Sequence, residues 1–112
     1  MNFGRYLRDL RTGKNLRQSD LAEVLGVTTV YICDIEKGKR NPPDYTKLRL
    51  IDEKLNLTYD EKCKFYDLAG VARQDVAPDV AAYLIENPDA VCMLRQIMIQ
   101  PNEYNWASII KR

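Results

Sequence analysis

No histidine occurs anywhere in the 112 residues. That absence removes the Ser-His-Asp and Cys-His constellations, in which an imidazole moves the proton. Cysteine is scarce: Cys33, Cys63 and Cys92 are odd in number and widely spaced, with no Cys-x-x-Cys pair. A structural zinc therefore has no set of four ligands. Each cysteine lies in an apolar helical context and is expected to be a reduced thiol, in the core or half-buried. Five glycines and five prolines are too few for a low-complexity chain. No apolar run approaches the ~20 residues that span a bilayer. Acidic and basic side chains within the first ten positions argue against a secretory signal, so the expected location is the cytoplasm. No glycine-rich loop has phosphate-binding spacing, since Gly38 is merely flanked by lysines. The carboxylate pairs Asp52-Glu53 and Asp60-Glu61 are helix neighbours that point apart. No enzymatic activity, metal or cofactor is expected.

What remains is an ordinary globular composition, 46% apolar and 29% charged, long enough for one small domain with a helical extension. The net charge of +1 is unevenly spread. Residues 1–57 carry eleven basic against eight acidic residues, a net +3, and the remainder carries six against eight, a net −2. A mildly basic head and an acidic tail fit binding of nucleic acid by the head alone.

The informative stretch runs from Gln18 to Pro42. Leu21 and Leu25 share one helical face, and Gly26 ends that run. Thr28 suits the N-cap of a second helix whose Ile32 and Ile35 face inward, preceded by Val27, with Gly38 at its end. Two short helices joined by a tight glycine-containing turn are the two-helix DNA-binding arrangement. The outer face of the second helix offers Thr28, Thr29, Val30 and Tyr31, with Asp34 one turn on. These are side chains able to approach base edges. Lys37, Lys39, Arg40 and Asn41 follow as a basic, polar loop suited to phosphates.

On these residues the chain resembles the Xre-type, phage-repressor-like helix-turn-helix family of bacterial regulators. The resemblance is carried by Gln18, Leu21, Ala22, Leu25, Gly26, Val27, Tyr31, Ile32, Asp34, Ile35, Glu36 and the run Gly38 to Pro42, and covers roughly residues 3 to 57. Cys33 departs from it, since a small hydroxyl residue is common there. The resemblance implies an all-α fold: a five-helix repressor-like helix-turn-helix domain followed by a short helical C-terminal extension. It also implies base-facing positions at Thr28, Thr29, Val30, Tyr31 and Asp34, and phosphate contacts from Gln18, Lys37, Lys39, Arg40 and Asn41. Finally, it implies a structural ion pair between Arg11 and Glu36.

Around this stretch the pattern is helical. Asn2 can cap a first helix with Phe3, Tyr6, Leu7 and Leu10 on one stripe and Gly13 as its stop. Pro42-Pro43 break the chain, and Asp44 caps a fourth helix with Leu48, Ile51 and Leu55 inward and Asn56 as its end. Thr58-x-x-Glu61 is a capping box for a fifth, with Phe65, Tyr66, Leu68 and Ala69 among its apolar residues and Gly70 as its expected end. Residues 70–78 read as a linker, dividing a DNA-binding domain at 1–70 from an extension at 71–112. Pro78-Asp79, Asn87-Pro88-Asp89 and Pro101-Asn102-Glu103 each read as a helix start. Val91, Leu94, Ile97 and Met98 fall on one side of the middle helix, and Tyr104, Trp106, Ile109 and Ile110 lie in the last.

So much apolar surface on about forty residues needs a partner surface. The tail is expected to pack on the head or on a second copy of the chain, and the expected partners are double-stranded DNA for the head and a second copy, or a partner protein, for residues 71–112. The expected function is that of a dimeric, sequence-specific transcriptional regulator, and the family resemblance implies a repressor. The alternative is an antitoxin whose tail binds a toxin protein.

Overall fold

The computed structural model describes residues 1–99, and all seven regular elements among them are helices. They are α1 (Phe3–Gly13), α2 (Gln18–Leu25), α3 (Thr29–Glu36), α4 (Tyr45–Leu55), α5 (Tyr59–Arg73), α6 (Pro78–Glu86) and α7 (Pro88–Ile99). Their contacts divide the chain into two compact units, Met1–Val80 and a second from Ala81 onward.

Short polar caps start α1, α3, α4 and α5, whereas α2 follows Arg17, whose backbone N–H donates to Asp20 Oδ2 at 2.7 Å. Asn2 Oδ1 accepts from the Arg5 N–H at 2.9 Å, Thr28 Oγ1 from Tyr31 at 3.2 Å, and Asp44 Oδ1 from Lys47 at 3.1 Å. The Thr58–Glu61 box closes in both directions, at 3.2 and 3.0 Å. Each such cap satisfies an N–H that the first turn leaves without a partner and contributes about 1 kcal/mol. Left-handed residues end three helices: Gly26 at φ 67° after α2, Asn56 at φ 50° after α4 and Gln74 at φ 55° after α5.

The core is the inward stripe of each helix. Phe3, Leu7 and Leu10 of α1 meet Leu21, Ala22 and Leu25 of α2, Ile32 and Ile35 of α3, and Leu48, Ile51 and Leu55 of α4. Leu57 and α5 close it with Phe65, Tyr66 and Ala69. The Phe3 and Phe65 rings lie 5.2 Å apart and the Tyr66 ring meets Phe65 edge-on. Burying a Leu or Ile side chain contributes ~1.5–3 kcal/mol, so this cluster is the main stabiliser of the unit.

α1 stops at Gly13 as expected, and the left-handed turn residue that follows is Asn15, whose φ is 60°. Two expectations need correction. Gly70 does not end α5, which runs three residues further to Arg73. A Cβ at Gly70 would stand 2.9 Å from the Ala77 backbone nitrogen, so this glycine admits the returning chain instead. The segment between α5 and α6 is correspondingly short. Cys33 and Cys63 are half-buried as expected, but Cys92 is exposed.

In the second unit, α7 begins at Pro88 as its cap-then-proline pattern requires, and the Asn87 side-chain amide donates to the Tyr83 carbonyl at 2.7 Å. Leu84, Val91 and Ile97 are half-buried, whereas Tyr83, Ile85, Met93, Leu94, Met98 and Ile99 are exposed. The helix start expected at Pro101, with Tyr104, Trp106, Ile109 and Ile110, lies outside the described residues.

Candidate nucleic-acid interface

Two helices and a loop build the site. α2 and α3 pack against each other across the Gly26–Thr28 turn, and α1 and α4 support them from behind. At its far end α3 meets the start of α1 backbone to backbone: a Cβ on Gly4 would clash with the Ile35 carbonyl and lie 2.7 Å from that of Glu36. This contact fixes the tilt of α3 on the body of the domain.

Thr28, Thr29 and Val30 project from the first turn of α3, all exposed, with Val30 at 66% of its surface. An apolar side chain so open on a small domain has room to pack on a thymine methyl, and the flanking hydroxyls to meet base edges. Thr28 is partly committed, because its hydroxyl oxygen caps the helix. Tyr31 and Asp34 are half-buried. The helix N-terminus adds a positive dipole that favours an approaching polyanion.

The loop after α3 is held at both ends. The Lys39 N–H donates to the Asp34 carbonyl at 2.8 Å and that of Gly38 to Ile35 at 3.1 Å. Beyond Asn41, Pro42 and Pro43 are buried, and Arg73 from the last turn of α5 donates to the Pro42 carbonyl from Nε at 3.0 Å and Nη2 at 2.5 Å. Between these anchors Lys39, Arg40 and Asn41 are exposed. The Arg40 guanidinium lies over the Tyr31 ring, 4.6 Å from its centroid.

Arg11 and Glu36 meet in a two-pronged pair, Nε to Oε2 at 2.7 Å and Nη2 to Oε1 at 3.0 Å, with side chains only 10% and 3% exposed. Nη1 of Arg11 also donates to the Leu16 carbonyl at 2.9 Å. Gln18 belongs to this network: its Nε2 donates to Glu36 Oε1 at 3.0 Å. One amide hydrogen of Gln18 is thereby committed inward, and only the other, with the backbone N–H at the start of α2, remains for a phosphate.

Charge pairing separates the cations into two groups. Arg11, Lys14, Arg17, Arg49 and Lys62 each have a carboxylate partner. Among the described residues the other cations have none: Arg5, Arg8, Lys37, Lys39 and Arg40 lie around α3, and Lys47, Lys54, Lys64, Arg73 and Arg95 lie elsewhere in the chain. Arg5, Arg8 and Lys37, with Asp9 and Glu36, line an open groove of about 550 Å³ beside the end of α3. Arg5 and Arg8, i and i+3 on the outer face of α1, were therefore missed as site neighbours. Their spacing was visible, but the closeness of α1 to α3 was not. Arg73 was missed because α5 was expected to stop at Gly70.

No group of metal-ligating side chains gathers among the described residues, and none of their helices is long and apolar enough to cross a membrane.

The chain is 37% identical over 75 residues to the HTH-type transcriptional activator BcrR of Enterococcus faecalis, a match covering 67% of this chain and 36% of that protein. It is 36% identical over 48 residues to the ImmF control region 10 kDa protein of Bacillus phage phi105, covering 43% of this chain and 53% of that one. The matched region is thus about a third of one relative and about half of the other. No solved structure matches. The family model for the helix-turn-helix domain matches residues 2–65, which takes in α1 to α4, the first half of α5 and every residue of the candidate interface except Arg73. The chain belongs to the helix-turn-helix domain family.

Proposed function

We propose that the protein is a sequence-specific DNA-binding transcriptional regulator that enters the major groove with α3. The observation that carries the reading is the pairing of an exposed Thr28-Thr29-Val30 turn with an anchored loop of unpaired cations at the other end of the same helix. Thr29, Val30 and Asp34 face bases, Thr28 divides its hydroxyl between cap and DNA, and Tyr31 lines the same face. Lys37, Lys39, Arg40, Asn41 and the start of α2 at Gln18 hold phosphates, and Arg5 and Arg8 extend that basic surface along α1. A relative described as a transcriptional activator and another from a phage control region support regulation of transcription.

In this reading the DNA-binding domain is residues 1–70 with the last turn of α5 that carries Arg73, and the rest of 71–112 is the association element. The protein acts as a homodimer and a repressor in the cytoplasm, with no enzymatic step. The exposed Tyr83, Ile85, Met93, Leu94, Met98 and Ile99 favour an association role for that segment. The same surface is what an antitoxin reading needs, with a toxin protein in place of the second copy. Light scattering on the purified chain separates the two: a dimer supports the repressor, and a monomer the hetero-partner.

The phosphate assignment is tested by salt dependence. Arg40→Ala should weaken all duplexes alike and lower the slope of log affinity against log salt by about one unit. An unchanged slope removes Arg40 from the backbone contacts.

A further inference from the structure

We infer that Tyr31 is a positioning residue for Arg40 and does not read a base. The inference rests on the DNA-binding reading above and goes beyond it, because it takes one of the base-facing positions of α3 out of the specificity set.

Three observations carry it. The Tyr31 ring is half-buried and packed against the core cluster, so its inner part is fixed by the domain. The guanidinium of Arg40 covers the ring, its central carbon 4.6 Å from the centroid. Arg40 itself is exposed and has no carboxylate partner among the described residues, so no ion pair competes with the ring for its side chain. The backbone beneath is already restrained by the Lys39–Asp34 bond on one side and the Arg73–Pro42 bonds on the other. Stacking on an aromatic face leaves the edge of a guanidinium, with its donors, open to a phosphate. A flexible arginine loses rotamer freedom when it binds, and an arginine already laid on a ring has lost part of it in the free protein. A base reader presents its side chain to the groove, whereas the inner part of this ring packs on the core and its face is covered by Arg40.

A cation over an exposed aromatic face is worth ~0.5–1 kcal/mol, which corresponds to roughly a two- to fivefold change in affinity. The test is a double-variant cycle in duplex binding, read on one selected site and one scrambled duplex at several salt concentrations. The proteins are the full chain, Tyr31→Phe, Tyr31→Leu, Arg40→Ala and Tyr31→Leu with Arg40→Ala. Leu keeps apolar packing while removing the aromatic face, and thermal melts verify that every variant is folded.

The expected result has three parts. Tyr31→Phe binds like the wild type on both duplexes. Tyr31→Leu weakens both by the same two- to fivefold. In the Arg40→Ala background Tyr31→Leu costs nothing further. The inference is overturned if Tyr31→Leu costs as much without Arg40 as with it, or if Tyr31→Phe or Tyr31→Leu changes the ratio between the selected and scrambled duplexes. A wild type that binds neither duplex overturns the DNA-binding reading and this inference with it. A wild type that binds while the cycle is additive overturns the inference alone.

Discussion

Removing Arg11 should unfold a large part of what holds the DNA-binding unit together, without touching any proposed base contact. Glu36 is buried, with its side chain 3% exposed, and takes both ionic hydrogen bonds from Arg11 at 2.7 and 3.0 Å. In Arg11→Ala the carboxylate keeps only the neutral Gln18 amide. In Glu36→Ala the guanidinium keeps only the Leu16 carbonyl. Breaking a buried pair from one side costs about 3–5 kcal/mol, because a charge is left without its counter-charge. A domain of this kind has ~5–15 kcal/mol of total stability. Each kcal/mol moves the melting temperature of a domain of 60–100 residues by about 4–8 °C, so each single variant should melt at least ~12 °C lower. Glu36→Gln should fall between wild type and Glu36→Ala, since an amide keeps part of the hydrogen bonding. The assay is thermal and urea denaturation of Arg11→Ala, Glu36→Ala and the double variant. The double variant should lose less than the sum of the singles, by about 2 kcal/mol or more. Strictly additive losses, or single losses below ~1 kcal/mol as in an exposed pair, would refute the argument.

Two other perturbations follow from particular residues. Asp34→Ala should raise affinity for a scrambled duplex by removing a carboxylate that phosphates repel, and should lower discrimination for the selected site by about 1–3 kcal/mol, as competition binding would measure. An unchanged ratio between duplexes excludes Asp34 from base reading. At high pH the relevant group is Tyr66, whose phenol is pushed well above its ordinary value of 10.0 by burial first and then by its hydrogen bond to the Asp52 carboxylate. The unfolded chain gives up that proton near pH 10 and the folded one does not. The contribution is therefore complete below that pH and is lost as pH rises past it. Alkaline denaturation followed by tyrosinate absorbance should show this loss, and Tyr66→Phe should show a shallower dependence on pH. Equal slopes for the two proteins would contradict the assignment.

What could be read from the sequence was mostly what neighbours in the chain decide. The caps at Asn2, Thr28, Asp44 and Thr58 depend on side chains reaching amides three residues away, and each stands where its residue type placed it. The inward stripes of α1 to α5 are legible for the same reason, as helical spacing fixes which side chains share a face. Gly70 shows the limit. A glycine near the end of an apolar run reads as a cap, but this one serves the close approach of Ala77, which no local pattern displays. The contacts that shape the interface are remote in sequence. Arg73 reaches the Pro42 carbonyl across 31 positions, and Arg40 finds Tyr31 only because the loop folds back over α3. Arg11 and Glu36, 25 positions apart, were expected from the family resemblance and not from spacing. Gln18 was expected as a phosphate contact, and its inward bond to Glu36 was not.

Selection of bound duplexes from a random pool tests the central claim most directly, because α3 can be a reading helix only if sequence matters to it. The account predicts enrichment of one site with two related halves about one helical turn, ~34 Å, apart, bound well above a scrambled duplex at the same salt. A pool that stays random after repeated selection, with equal affinity for any duplex, would contradict it.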